Sequence, residues 1–328
     1  MLLIMIHNFV INFMGIRCNE MVYSEEYTDV FLTNVFGKDF VWCVFSYVGW
    51  VGVPIFLFLS GYGLTLKFNT DKLVVGSYIK SHVVKLLKLL APIFVLYFVV
   101  YHFWLGEVHN IKSAVAQLTF LINFLSYGNN GFIIEPGVYW FFGAILQFYL
   151  LFIVLRRLQT KWLWVLACLF LAVNYFVLYS CTNDTMMWTR HNFLGWGAPF
   201  VLGMISARRQ KTLPRRYAWS IGLCSLIALC VFMVFKPLMP LVELSAILLF
   251  VCVVSVGTIR PMAFIGIISS SIFVLHPVVR MFVRVVFYDM FTPPKQYILV
   301  LTLIYFVIVV SLSWLHHRLM SKYSRNNG

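Results

Sequence analysis

The chain has 328 residues, of which 62% are hydrophobic and only 11% charged, with a mean hydropathy of +0.89. A soluble domain carries roughly 25% charged residues, so too few polar side chains are present to cover a water-facing surface, and a soluble globular fold is excluded. The formal net charge of +14 would point to nucleic acid in a soluble chain; in a membrane chain it is the usual Lys/Arg excess of cytoplasmic loops, and no nucleic-acid partner is expected.

Apolar runs near the length that crosses a bilayer, about 20 residues, are predicted over 2–15, 43–66, 84–105, 139–155, 162–180, 193–207, 218–235, 241–258, 262–286 and 297–315. The stretch 114–126 is too short to cross and reads as an interfacial or re-entrant segment. No long polar segment separates the runs, so residues 1–328 are expected to form a single membrane-embedded domain, all-α and polytopic, with about ten transmembrane helices. The first run starts at Met1 with no basic residue before it and no small-residue cleavage site, so it is not a signal peptide; it reads as a helix short of its first turns, with the true start upstream.

Ten spans place both termini on one side. If that side is the cytoplasm, its loops hold Lys67, Lys72, Lys80, Lys85, Lys88, Arg156, Arg157, Lys161, Arg208, Arg209, Lys211, Arg215, Arg216, Arg260, Arg318, Lys322 and Arg325, with Asp71 as the acidic exception. Glu20, Glu25, Glu26, Asp29 and Asp39 crowd the first loop on the other side. The Lys/Arg bias sets the orientation, and an eleventh span at 114–126 would reverse it for every later loop. Trp42, Trp104, Trp140, Trp162, Trp219 and Trp314 fall near span ends, as an aromatic belt requires. The seven cysteines include no CxxC or Cys/His spacing for a metal, and none is expected. No internal repeat is visible, which counts against inverted-repeat transporters.

Ionisable groups inside a bilayer are costly and mark candidate sites. His7 lies in the first span, His102 at the outer end of the third, and His276, Arg280 and Arg284 in the ninth. His7 either hydrogen-bonds to a neighbouring helix or works as an acid–base group on a hydroxyl. Gly49, Gly52, Pro54, Gly61 and Gly63 break up the second span around Ser60 and Tyr62, which marks either close helix packing or a cavity wall. Lys80, His82, Lys85 and Lys88 precede Pro92; the lysines either follow topology alone or grip phosphates as point charges. Arg280 and Arg284 either reach for the interface or bind an anionic group in an external cavity.

These residues, in this order, resemble acyltransferase family 3, membrane enzymes that O-acylate cell-surface glycans. The resemblance covers nearly the whole chain. It rests on His7 in an apolar first helix, the Gly-Val-x-x-Phe-x-x-x-Ser-Gly-Tyr run of residues 52–62, the basic pair Lys85 and Lys88 before Pro92, the aromatic helix from Tyr139, and the Ser-rich stretch 269–276 ending in His276. Two features depart from the family pattern: its usual Arg-x-x-Arg pair is here Lys-x-x-Lys, which keeps charge but loses the bidentate fork, and the usual Arg early in the first helix is missing. The resemblance implies an acyl-CoA donor, acetyl-CoA first, held at the cytoplasmic mouth by Lys80, Lys85 and Lys88, and no permanently bound cofactor. It implies His7 as the catalytic base, or as a transient carrier of the acyl group. Ser60, Tyr62, Trp140, Tyr149, His276 and Arg280 would line the substrate cavity, and the acceptor would be a glycan or lipid-linked sugar hydroxyl at the cell membrane. Two other readings remain: a transporter or flippase, which fits the broken second helix, and a glycan polymerase, which fits less well because no large basic external loop is present.

Overall fold

The computed structural model describes residues 1–19, 23–68, 73–106, 110–127, 131–210, 213–257, 260–289 and 297–326. Glu20, Asp71, Lys72 and Lys211, and the side chains of Trp104 and Arg325, lie outside this description. Among the described residues there is no strand. The helices are α1 (Leu2–Met14), α2 (Glu25–Asn34), α3 (Phe40–Gly49), α4 (Gly52–Phe68), α5 (Val75–Leu105), α6 (Ile111–Leu118), α7 (Ile122–Leu125), α8 (Trp140–Leu155), α9 (Thr160–Ser180), α10 (Asn183–His191), α11 (Phe193–Arg209), α12 (Arg215–Val234), α13 (Val242–Val256), α14 (Arg260–Ile267), α15 (Ser269–Val283) and α16 (Ile298–Asn326).

Among the described residues, eight helical segments are long and apolar enough to cross a bilayer, and they coincide with eight of the predicted spans. The other two predicted spans are α1, with 13 residues, and α11, with 17. At 1.5 Å per residue α1 covers only roughly 20 Å of a hydrocarbon core about 30 Å thick. Both are packed inside the bundle, with Met5, Phe9 and Val10 of α1 and Ala198, Phe200, Val201 and Met204 of α11 fully buried. A helix surrounded by protein need not match the lipid. The stretch 114–126 forms α6 and α7, of eight and four residues, and does not cross. Trp162, Trp219 and Trp314 are exposed on the bundle surface as a belt requires, whereas Trp140 is buried.

The second span is two helices. Pro54 has no N–H to give to Trp50 O, and Val53 N bonds that carbonyl instead at 2.9 Å. This tight turn separates α3 from α4. Close packing then depends on glycine at two crossings. A Cβ at Gly61 of α4 would strike Phe200 O of α11, and a Cβ at Gly203 of α11 would strike Phe58 O of α4. The two backbones therefore touch reciprocally, the small-residue contact that replaces the hydrophobic effect between helices in lipid. Gly61→Ala and Gly203→Ala are each expected to destabilise the protein by about 1–3 kcal/mol through overpacking, read as a lower unfolding temperature in detergent. Gly63→Ala is the control, because nothing lies within 4 Å of its Cβ position.

The basic loops meet at one end of the bundle. Arg208 donates to Leu158 O at 2.6 Å and to Arg156 O at 2.9 Å, tying the end of α11 to the α8–α9 turn. Phe68, Tyr78 and Phe152 bring the ends of α4, α5 and α8 together, with ring centroids 5.3–6.3 Å apart. From there α8 runs back roughly 24 Å to Trp140 at the opposite end of the molecule.

Candidate active site

His7 stands midway along α1 and is 1% exposed. Gly49 makes this possible: a side chain there would collide with His7 Cβ and come within 2.7 Å of Leu3 O, so α3 lies directly against the α1 backbone. The same contact brings Ser46 O to 2.6 Å from His7 Nδ1. A carbonyl only accepts, so Nδ1 carries the proton of the neutral ring, and Nε2 is the basic nitrogen. Ser46 Oγ in turn donates to Ile16 O at 2.6 Å, which holds α3 to the segment after α1.

His7 lines a narrow slot with Ile4, Asn8, Trp50, Phe56, Val138, Trp140, Phe141 and Phe273. Its volume is about 20 Å³, room for one water or a small planar group. Trp50 is 2% exposed, and its indole N–H has no hydrogen-bond partner among the described residues. Asn8, Val138 and Trp140 also line a second, wider cavity of about 530 Å³, together with Asn12, Ser126, Tyr127, Ile134, His191 and Arg280. This vestibule lies at the Trp140 end of α8, away from the basic loops. Consecutive residues on a helix point about 100° apart, so Asn8 faces the vestibule where its neighbour His7 faces the slot. Asn8 Nδ2 donates to Ile4 O at 2.9 Å, and its Oδ1 accepts from Arg280 at 3.1 Å.

Trp140, which lines both slot and vestibule, belongs to a stack of rings. His191 lies on Trp140 with centroids 5.1 Å apart, and Trp140 lies on Trp196 at 6.0 Å and 14°. Behind Trp196 is a charge pair that the sequence reading missed. Arg190 sits over the Trp196 ring at 5.1 Å and donates to Glu243 Oε1 at 2.8 Å; the side chains are 9% and 1% exposed. Trp196 Nε1 donates back to Arg190 O. Asn123 donates to Trp140 O at 2.7 Å and also to His191 O, while Gln147 donates to Asn192 at 2.7 Å and accepts from Phe193 N at 2.9 Å. These amides fix α10 and the start of α11 against α8, so the Trp140–His191 stack is rigid.

The predicted site residues fall in three places. His7 and Trp140 share the slot, and Arg280 joins Trp140 in the vestibule. Lys80, Lys85 and Lys88 are exposed along the first half of α5, at the basic end. Tyr149 is with them, not with Trp140: its ring lies 4.3 Å from His82, which lies 4.2 Å from Tyr78. It is nine residues along α8 from Trp140, roughly 13 Å away. Ser60 donates to Phe56 O at 2.9 Å and Tyr62 lies on Phe58; neither lines the slot or the vestibule. His276 is fully buried, with Nδ1 2.8 Å from Phe273 O and its own carbonyl accepting from Tyr305 at 3.1 Å; it lines neither cavity.

A bundle of bilayer-length helices, with no strand among the described residues, holding a vestibule and beside it a slot lined by a buried histidine, defines a polytopic membrane protein with cavities inside it. The acyltransferase-domain model of acyltransferase family 3 matches residues 2–318, and the chain belongs to that family. It is therefore a membrane acyltransferase. No curated protein and no solved structure matches the chain.

Proposed function

We propose that the protein transfers an acyl group, acetyl first, from acyl-CoA to a hydroxyl of a cell-surface or exopolysaccharide glycan at the cell membrane. The observation that carries this reading is the adjacency of the two cavities: a sugar-sized vestibule and a slot too small for a sugar ring share Asn8, Val138 and Trp140, and His7 lines the slot. The acceptor sugar occupies the vestibule with one hydroxyl directed into the slot. The hydroxyl proton passes to His7 Nε2, the oxygen attacks the thioester carbonyl, the C–S bond breaks, and the leaving thiolate takes up the proton from the imidazolium. The donor enters from the basic end, where Lys80, Lys85 and Lys88 hold the phosphates of the CoA nucleotide and the uncharged pantetheine arm extends between helices. Tyr78, His82 and Tyr149 give that end an aromatic floor.

The test is incubation of membranes holding the protein with labelled acetyl-CoA and envelope polysaccharide. Stable label on the glycan is the expected result. Glycan moving across proteoliposomes with no acyl donor present would instead make the chain a transporter. At the donor end, Lys85→Ala is expected to raise the KM for acetyl-CoA by about fivefold with kcat little changed, because the lysine acts as an exposed point charge. The difference shrinks as salt is raised, and a change in kcat alone would remove Lys85 from donor binding.

A further inference from the structure

We infer that the acceptor is anionic, and that Arg280 reads its negative group, a carboxylate or a phosphate, in the vestibule beside the slot. This rests on the acyl-transfer reading and names the substrate class within it. Among the described residues the hydrogen-bond partners of Arg280 are the carbonyl and the amide oxygen of Asn8, at 3.3 and 3.1 Å, both taken by Nη1. Nη2 and Nε have no partner there. Among the described residues no carboxylate lines the vestibule. Glu135 belongs to the loop that forms its rim, yet it makes no bond to Arg280. The acidic residues Glu25, Glu26 and Asp29 are exposed on α2, which contributes nothing to the lining.

A guanidinium offers five N–H donors in a planar fork suited to an oxyanion. Held inside a membrane protein without a counter-charge it is costly, and the cost is offset when a ligand supplies the anion. The other polar groups of the vestibule, Asn12, Ser126, Tyr127 and His191, suit sugar hydroxyls, and Trp140 gives a sugar ring a flat face. Arg280 is anchored through Asn8, the residue next to His7. The anion is thereby placed within about one sugar ring of the hydroxyl presented to His7. A neutral acceptor leaves the cation unmatched.

The experiment uses membranes holding the full chain, labelled acetyl-CoA, and envelope polysaccharide of the producing cell in three forms: untreated, carboxyl-reduced so that acidic sugars become neutral alcohols, and dephosphorylated. Rates are compared within each protein, so that any loss of folded enzyme cancels. For the wild type, one treatment is expected to lower transfer at least tenfold, and which one tells carboxylate from phosphate. Arg280→Gln is expected to be slow on the untreated acceptor and to change less than twofold on treatment; Arg280→Lys retains part of the discrimination. Wild-type rates undiminished on both treated forms would overturn the inference and leave acyl transfer intact, as would an Arg280→Gln loss equal on all three. Absence of label on untreated polysaccharide with the wild type would overturn the acyl-transfer reading and this inference with it.

Discussion

His7→Asn is expected to lower acyl transfer by about a hundred- to ten-thousand-fold, the range that a positioned general base contributes, while the protein still inserts and folds. Asparagine is the informative replacement. Its amide N–H can take over the donation to Ser46 O that His7 Nδ1 makes at 2.6 Å, and its small Cβ neighbourhood leaves the Gly49 contact undisturbed. It offers no nitrogen that accepts a proton. His7→Ala removes both functions: it leaves a buried carbonyl without its donor, at about 1–3 kcal/mol, and confounds activity with stability. Initial rates of label transfer, normalised to folded protein by size-exclusion chromatography, check the prediction. A His7→Asn enzyme running at the wild-type rate would reduce His7 to a packing residue.

Removing either partner of the Arg190–Glu243 pair is expected to destabilise the protein by about 3–5 kcal/mol, because the survivor is a buried charge without its counter-ion. The geometry makes this severe. The pair is 2.8 Å apart, almost fully enclosed, and roofed by Trp196, whose indole is tied to the Arg190 carbonyl. Loss of the pair therefore loosens the Trp196–Trp140–His191 stack, whose Trp140 lines both slot and vestibule. Arg190→Met combined with Glu243→Leu is expected to recover much of the stability, since it removes the charges together. Thermal unfolding in detergent of the two single variants and the double variant forms the cycle that measures this. Additive losses in the double variant would show that the two charges do not depend on each other.

Much of this molecule was legible in one dimension. Apolar runs set ten helix positions, and all ten are helical. The shortness of 114–126 kept it from being taken as a crossing. His7 stood out because an imidazole in a run of Leu, Ile and Met is costly in a bilayer without a partner, though the sequence left open whether it bonds a neighbouring helix or works on a hydroxyl. Two things were readable but passed over. Thr182 caps α10 by accepting from Thr185 N, a helix-start signature in the sequence itself. Glu243 falls inside the predicted span 241–258, where a carboxylate is its own signal. Tyr149, expected to line the cavity with Trp140, stands beside His82 instead, nine residues along the helix, because the aromatic pattern of α8 does not say which ring faces which cavity.

Crossing a membrane is a property of consecutive residues, since each span meets the hydrocarbon with its own stretch of side chains and satisfies its own backbone hydrogen bonds. Composition and run length therefore determined the class, the spans and the gathering of basic loops at one end. The site is a property of residues that are not consecutive. Asn8 meets Arg280 across 272 positions, Arg190 meets Glu243 across 53, and His7 meets Ser46 across 39. Which of these meetings occurs depends on how closely backbones approach at Gly49, Gly61 and Gly203. That distance is set by the packing of whole helices against one another, and tertiary structure alone decided it.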